Sequence, residues 1–361
     1  MMRARLLLYR LSSTLLGQAI LSALSFGVSV PFLRQKTAGT GKAREPARKR
    51  PFLVLITVDT EAGYVSKDER RVWQKEAPEA FQGYHAGIRN LRRIFSKHGV
   101  RATFFLSTHC FSSAGGEYAR IITELKGLLK EGHEIGLHPH PDSDRALRKK
   151  LGREFPATSC FFYDTGQLLE FINSSKRLIG EHLGKPAESA IKSIRWGNWA
   201  LNTDGAKAVA ASGFLVDSSA TPGIAGHEGD SRKFDWKKAH GHSPWRLSST
   251  DYADCQSTAQ RGSGVLEIPI ATFSFFGKAM RADPQYSVLL RKAFARYHAH
   301  ADRSQHPFPF VVMTHSSEAT LREGSPTKAA LELENFIAFA KTFPDVEFTT
   351  ALEARNKYLK N

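Results

Sequence analysis

Phe52-Leu-Val-Leu-Ile-Thr-Val-Asp-Thr-Glu61 is the stretch whose reading decides the fold. Phe52 to Val58 is a continuous apolar and β-branched run, without the alternation of a strand that shows one face to water. A strand buried on both faces belongs to a parallel sheet covered by helices. The run then ends abruptly in two carboxylates, Asp59 and Glu61. Acids at the C-terminal end of such a strand lie where parallel α/β folds place their reactive groups.

Outward from this strand the chain alternates. A helix-like stretch over 79–98, a strand over 101–107, a helix over 118–130 and a strand over 134–137 give three β-α steps. Further on come a helix over 166–183, a short strand over 193–195, a helix over 203–211 and a strand over 213–217. A strand over 265–268, a helix over 286–299, a strand over 310–314 and a helix over 327–343 follow. About seven βα units make a parallel (β/α)7-type barrel the economical architecture, with a doubly wound open sheet as the alternative. Residues 224–264, rich in Gly, His, Ser and Trp, break the rhythm and read as a long excursion carrying substrate contacts. The barrel domain is expected to cover residues 51–361.

The third strand leads into Gly132-His-Glu-Ile-Gly-Leu-His-Pro-His-Pro141. Residues i and i+2 of a strand share a face with Cα atoms about 6.6 Å apart, so His138 and His140 can converge on one metal ion. Pro139 and Pro141 stop the strand there. Alone, the pair reads more readily as two turn histidines than as a site. Arg195 alone reads as a structural ion pair, and His315 alone as a satisfied strand-end histidine. Together with Asp59, Glu61 and Asp217 they put acids, a histidine pair, an arginine and another histidine at successive strand ends, which is what a metal-dependent hydrolytic site requires.

The chain carries a formal +16, but residues 1–50 hold ten Lys/Arg against one acid, Glu45, a net +9 that leaves +7 for the other 311 residues. So uneven a charge suits an acidic membrane surface, an anionic glycan or nucleic acid. No aromatic-basic interleaving, zinc-finger spacing or heptad seam favours nucleic acid, and it is not expected as a partner. Cys110, Cys160 and Cys255 are odd in number and far apart, suggesting neither a disulfide framework nor a cysteine metal site. Residues 11–33 form an uncharged run long enough for a signal peptide or single anchor, diluted by Ser, Gln and Pro. Three Arg precede it and seven Lys/Arg follow it, a balance that favours a membrane-associated or cytoplasmic body over export. Residues 37–50 read as a flexible linker completing a basic leader over 1–50.

The order Thr57-Val-Asp-Thr-Glu61, Gly132 to Pro141, Arg195-Trp-Gly-Asn-Trp199, Val216-Asp-Ser-Ser-Ala-Thr-Pro222, Leu266-Glu-Ile-Pro269 and Thr314-His-Ser316 resembles the polysaccharide deacetylase superfamily (NodB-homology, carbohydrate esterase family 4) over about residues 52–350. The resemblance implies a distorted (β/α) barrel of the glycoside hydrolase/deacetylase kind. It further implies a divalent metal, usually zinc, and removal of N-acetyl groups from sugars of an acetylated glycan. Carried over residue by residue, Asp59 resembles the base, Glu61, His138 and His140 the metal ligands, Arg195 the partner of the base, and His315 the acid, with Asp217 as a candidate to orient His315. The chain departs from the common pattern in three places. Its first motif is Asp-x-Glu rather than two adjacent aspartates, leaving open whether Asp59 or Glu61 is the acidic ligand. Its histidines are two apart rather than four, and Gly197 stands where a proline is usual.

Two other classes remain open at this stage: a catalytically inactive glycan-binding protein of the same fold, and a metal-dependent glycosyltransferase, whose acid-x-acid motif Asp59-Thr-Glu61 loosely mimics. No phosphate-cradling Gly-rich loop supports the latter. Trp196, Trp199, Trp236 and Trp245 are candidates for stacking on sugar rings, with core packing expected for at least two. His133, His240 and His242 are expected to be structural or solvent-facing, and Asp142 and Asp144 to cap a loop rather than bind metal.

Overall fold

The structure, a computed structural model, describes residues 14–30, 50–63, 65–67, 70–72, 78–111, 116–152, 157–228, 231–239, 243–256, 262–301 and 306–360. The linker expected over 37–50, except Arg50, and His240 and His242 lie outside the described residues. Nine strands build the main sheet: β1 (Phe52–Thr60), β2 (Thr103–Leu106), β3 (Glu134–Leu137), β4 (Ser193–Ile194), β5 (Val216–Asp217), β6 (Trp245–Ser248), β7 (Gly262–Glu267), β8 (Phe308–His315) and β9 (Val346–Phe348). Their order is β6-β7-β5-β4-β3-β2-β1-β8, with β9 beside β1. All neighbours are parallel except the edge pair β6 and β7.

The sheet curls into a half-barrel: the parallel barrel that the alternation predicts, distorted as the family resemblance implies. β1 and β8 run in register from Phe52–Phe308 to Asp59–His315. On its other edge β1 pairs first with β9, over residues 52–54, and then with β2, over 57–60. Between β8 and β7 no ladder forms among the described residues. Single backbone bonds bridge that gap instead, Ala271 N–H to the Val311 carbonyl (3.1 Å) and Met313 N–H to the Ala282 carbonyl (3.0 Å).

Strand parity explains why Phe52–Val58 reads as uniformly apolar. Phe52, Val54, Ile56 and Val58 pack outward in the large cluster with helices such as Ile88–His98 and Lys328–Ala340. Leu53 and Leu55 point inward to a second cluster with Val216, Leu266, Ile268, Val311 and Met313. The strand thus has two apolar faces with different jobs. The inward series continues 53, 55, 57, 59, so its apolar layers end in Asp59 at the mouth.

Tyr118–Lys130, Glu134–Leu137 and Thr203–Ala211 match the sequence reading. The helix expected over 79–98 is instead a 3-10 turn (Pro78–Phe81), a π turn (Gly83–Gly87) and an α-helix (Ile88–His98). Close packing accounts for the two glycines of the π turn, because a Cβ on Gly87 or Gly83 would lie 2.0 or 2.7 Å from backbone atoms of Ser316 or Ser317. The 224–264 excursion contains a hairpin (Ala225–Glu228 with Ser231–Asp235) and contributes β6 to the main sheet.

The N-terminal segment departs from the leader expected over 1–50. Residues 14–30 form a nine-residue helix (Leu15–Ala23), a 3-10 turn (Leu24–Gly27) and a strand (Val28–Ser29). That strand pairs antiparallel with Thr272–Phe275. Leu21 and Val28 are buried with Phe273, Met280, Tyr286, Leu289 and Ala293, and the Gln18 amide donates to Glu332 at 3.1 Å. No helix among the described residues is long and apolar enough to cross a membrane. Nine helical residues reach about 14 Å, half the roughly 30 Å of a bilayer core. Residues 14–30 therefore pack as part of the body.

Candidate active site

Asp59 and His315 are neighbours because β1 and β8 pair in register up to them. Asp59 is 1% exposed and Arg195 0%, and Arg195 Nη1 meets Asp59 Oδ1 at 2.7 Å. The guanidinium is held on every side. Its Nε donates to the Ser218 carbonyl at 2.8 Å and its Nη2 to Ser218 Oγ at 3.0 Å, while its plane lies 4.5 Å from the centre of the Phe105 ring. Phe105 has room because the adjacent strand offers Gly136, where a Cβ would lie 2.7 Å from the ring. A buried ion pair is tolerable only when its remaining hydrogen-bonding capacity is met, and here it aims the Asp59 carboxylate into the mouth.

Glu61, His138 and His140 each offer one ligand atom, all within 4.8 Å of one another. Hydrogen bonding fixes both imidazoles. His138 Nδ1 lies 2.8 Å from the Arg195 carbonyl, which only accepts, so Nδ1 carries the proton and Nε2 presents its lone pair. The single hydroxyl proton of Thr158 goes to Asp142 Oδ1, so Thr158 Oγ1 accepts from His140 Nδ1 at 3.3 Å, and the second Nε2 is likewise a bare donor. The two Nε2 atoms face each other at 3.2 Å, with Glu61 Oε2 at 2.5 Å from His140 and 3.6 Å from His138. Two imidazoles bound to one tetrahedral zinc at about 2.0–2.1 Å would sit about 3.3 Å apart. The donor set and its spacing therefore fit a divalent ion of the zinc type. Burial by itself would raise the Glu61 carboxyl, but in the metal-free site, where the two imidazoles can take up a proton at Nε2, the charge of His140 and hydrogen bonds from both histidines outweigh it and hold the group well below the usual carboxylate range; a cation held there would replace that proton.

His315 lies beside this set, its Nε2 3.5 Å from Glu61 Oε1. Its other nitrogen faces Glu318 Oε2 at 3.3 Å, and the same carboxylate oxygen accepts the His315 backbone N–H at 3.1 Å. Burial alone would depress this imidazole, but Glu318, Glu61 and Asp59 together lift it to about 9, so it is cationic at neutral pH. The carboxylate beside His315 in the structure is thus Glu318, where Asp217 was expected. Glu318 is missed in the sequence because it follows the strand, three residues beyond His315 in a 3-10 turn, where only the His-x-x-Glu spacing marks it.

Asp217 stands elsewhere, paired in register with Glu267 of β7. Both side chains are fully buried; Asp217 Oδ1 accepts from Ser219 N–H at 2.8 Å and Glu267 Oε1 from Ala220 N–H at 2.9 Å. Their other oxygens find no third group to bond among the described residues, which leaves each carboxyl the other as its side-chain neighbour. Burial raises both carboxyls, and the charge of Asp217 pushes Glu267 higher still, so the pair shares a proton. Through Ser218, the loop that they hold carries Arg195.

Trp196 and Trp236 are fully buried and Trp245 nearly so. Of the four candidate tryptophans only Trp199 is partly exposed, and its ring faces the Arg281 guanidinium at 3.6 Å. Asn198 and Trp199 both adopt left-handed backbone (φ 53° and 56°), strain of the kind found at functional sites. The preceding Gly197 is obligatory: a Cβ there would lie 2.5 Å from His140 Nε2. His133 is structural, as expected, accepting the Ala102 N–H through Nδ1 between the Phe95 and Phe104 rings. Asp144 caps the helix Arg145–Leu151 through the Leu147 N–H, as expected. His109, which the sequence reading does not single out, is buried at the end of β2 and lines a small recess against Glu61 and His140 with Ala62, Ser107 and Ser143.

No family model and no curated protein matches the chain. Solved structures do match. A protein assigned as a polysaccharide deacetylase from Mycobacterium smegmatis is 17% identical with a TM-score of 0.54, covering 89% of this chain and 95% of its own. PuuE allantoinase is 15% identical with a TM-score of 0.56, covering 91% and 97%. A protein assigned as a polysaccharide deacetylase from Pseudomonas aeruginosa PAO1 is 16% identical with a TM-score of 0.56, covering 91% and 98%. At such identity the likeness establishes the fold, and the different activities in these names show that the fold alone does not choose the substrate.

Proposed function

We propose that the protein is a metal-dependent hydrolase that removes N-acetyl groups from sugars of a polysaccharide or a glycan precursor. The observation that carries this reading is the convergence of three bare ligand atoms, from Glu61, His138 and His140, on the mouth that also holds the Asp59–Arg195 pair and a cationic His315. Similarity of fold to proteins assigned as polysaccharide deacetylases, and the chain-long motif order, point to an acetylated glycan as substrate.

Zinc is the expected ion, and Glu61, His138 and His140 would hold it. When bound, such an ion polarises a carbonyl and lowers the pKa of water from about 15.7 to about 7. The rest falls to side chains. Asp59, aimed by its ion pair with Arg195, accepts the proton of the attacking water. The new C–O bond forms at the acetyl carbon and the C–N bond breaks, releasing acetate. His315 delivers the proton that the departing amine needs, with Glu318 holding the ring. Asp59 is thus read as the base and Glu61 as the acidic ligand, because Asp59 is committed to Arg195 whereas Glu61 faces both bare imidazole nitrogens.

Acetate release from N-acetylated chitooligosaccharides tests the reading. The zinc-loaded wild type is expected to release acetate and Asp59→Ala to release almost none. A folded, zinc-loaded wild type that binds the oligosaccharide without releasing acetate would favour a glycan-binding protein instead.

A further inference from the structure

Ser218, Ser219 and Ala220 form the loop that leaves β5, and it is held from two sides. On one side the Ser218 carbonyl and hydroxyl receive Arg195 Nε and Nη2 at 2.8 and 3.0 Å, and Ser219 Oγ receives the Trp196 N–H at 2.9 Å. On the other, the Ser219 N–H donates to Asp217 at 2.8 Å and the Ala220 N–H to Glu267 at 2.9 Å, while Ser218 Oγ donates to the Ile268 carbonyl at 2.8 Å. The guanidinium that aims Asp59 is therefore seated on a loop whose own place is set by two carboxyls.

Those carboxyls stand in register on adjacent parallel strands, and both are fully buried. Each gives one oxygen to the loop, and their remaining oxygens have each other as neighbours. Arg195 is the cation that acts on both, but its guanidinium donates to Asp59 and Ser218 instead. Two carboxylate charges buried side by side would force the strand ends apart, whereas one proton between them turns the contact into a hydrogen bond. Burial raises both groups, as such sharing requires. We propose that Asp217 and Glu267 act as one positioning unit: joined by a single shared proton they hold the 218–220 loop, the loop holds Arg195, and Arg195 holds Asp59 on the attacking water. The last link rests on the hydrolase reading above, and the others rest on the geometry of the loop. Neither carboxyl touches the reacting atoms. The unit needs one donor between the two facing oxygens. An amide in place of either carboxyl supplies that donor through its NH2 group, but amides in place of both set two donors against each other.

The test is a double-mutant cycle of D217N, E267Q and D217N/E267Q, read by acetate release from N-acetylated chitooligosaccharides, by zinc content and by crystal structures. Each single variant should lose about threefold in kcat/KM, because its amide replaces the shared proton. The double variant should fold and hold its zinc, yet lose at least about thirtyfold, chiefly in kcat, since misplacing a catalytic group by about 1 Å can cost about 100-fold. In its crystal structure the 218–220 loop should be displaced and Arg195 drawn away from Asp59, a contact of 2.7 Å that both single variants keep. If the double variant does not fold, E267M, which keeps the side-chain volume but cannot receive the Ala220 N–H, serves for the same readings. The proposal is overturned if the double variant loses no more than the product of the two single losses, or if its Arg195 stays on Asp59. A wild type that releases no acetate would overturn the hydrolase reading instead, and the position of Arg195 in the crystal structures would still decide the clamp.

Discussion

Two pairs of carboxylates stand at strand ends in this barrel, and they behave in opposite ways. Asp59 and Glu61, at and just after the end of β1, face cations and bare imidazoles: Arg195 for the first, His138 and His140 for the second. Asp217 and Glu267, at the ends of β5 and β7, face one another and two backbone N–H groups. Burial disfavours charge at both places. At Glu61 the histidines reverse it, and the carboxyl is held low; at Asp217 and Glu267 nothing reverses it, and both are raised. An acid at a strand end is therefore a ligand, a base or a proton-sharing clamp according to what its neighbours supply.

The contrast can be broken most severely at Asp59. Asp59→Ala leaves Arg195 buried without its partner and removes the proposed base, so acetate release should fall by about a thousandfold or more, measured as kcat/KM on N-acetylated chitooligosaccharides. A smaller loss is expected from Gly197→Ala. Its Cβ would lie 2.5 Å from His140 Nε2, and pushing that imidazole aside should weaken zinc affinity by about 10- to 100-fold in a competition titration.

This glycine also shows what the sequence could and could not disclose. His138 and His140 are legible as a pair, and their spacing of two departs from the family's four. Gly197, standing for a usual proline, is a second departure 57 residues on. They are complementary in space: the second imidazole occupies the volume that a side chain at 197 would fill. Asp59, His138 and His315 stood out as candidates because each lies at the end of an apolar strand, whereas Arg195 follows a strand of only two residues, Ser193–Ile194, and stood out through the motif order instead. Glu318 and Glu267 were not readable as partners, since their roles arise from a 3-10 turn and from cross-strand register, which leave no periodic signal. The uncharged N-terminal run misleads for a related reason. Leu21 and Val28 are buried against the body, while Ile20, Leu24 and Phe26 stay exposed, and composition cannot tell the two groups apart.

Titration sharpens the comparison further. Because both members of the Asp217–Glu267 pair are raised, the folded state keeps a proton that the unfolded chain releases above about pH 4. Their stabilisation is present at low pH and is lost as pH rises through the folded-state values. Glu267→Gln removes the need for that proton, so its stability should fall less than wild type's between pH 5 and pH 8 in urea unfolding. Buried His133 has the opposite sign. Burial lowers it to about 4 from an ordinary 6.5, so its contribution is complete above pH 6.5 and is lost as pH falls towards 4. The loss is at most about 3 kcal/mol, and a His133→Asn variant should show a flatter acid limb.

The central claim is that Glu61, His138 and His140, and not the second acidic pair, form the cation site. Metal content of the purified, zinc-equilibrated full-length protein measures it directly. One divalent ion per chain is predicted for wild type, Asp59→Ala and Glu267→Gln, and a loss to near zero for folded His138→Ala. A folded wild type without metal, or a His138→Ala protein that keeps a full equivalent, would contradict the account.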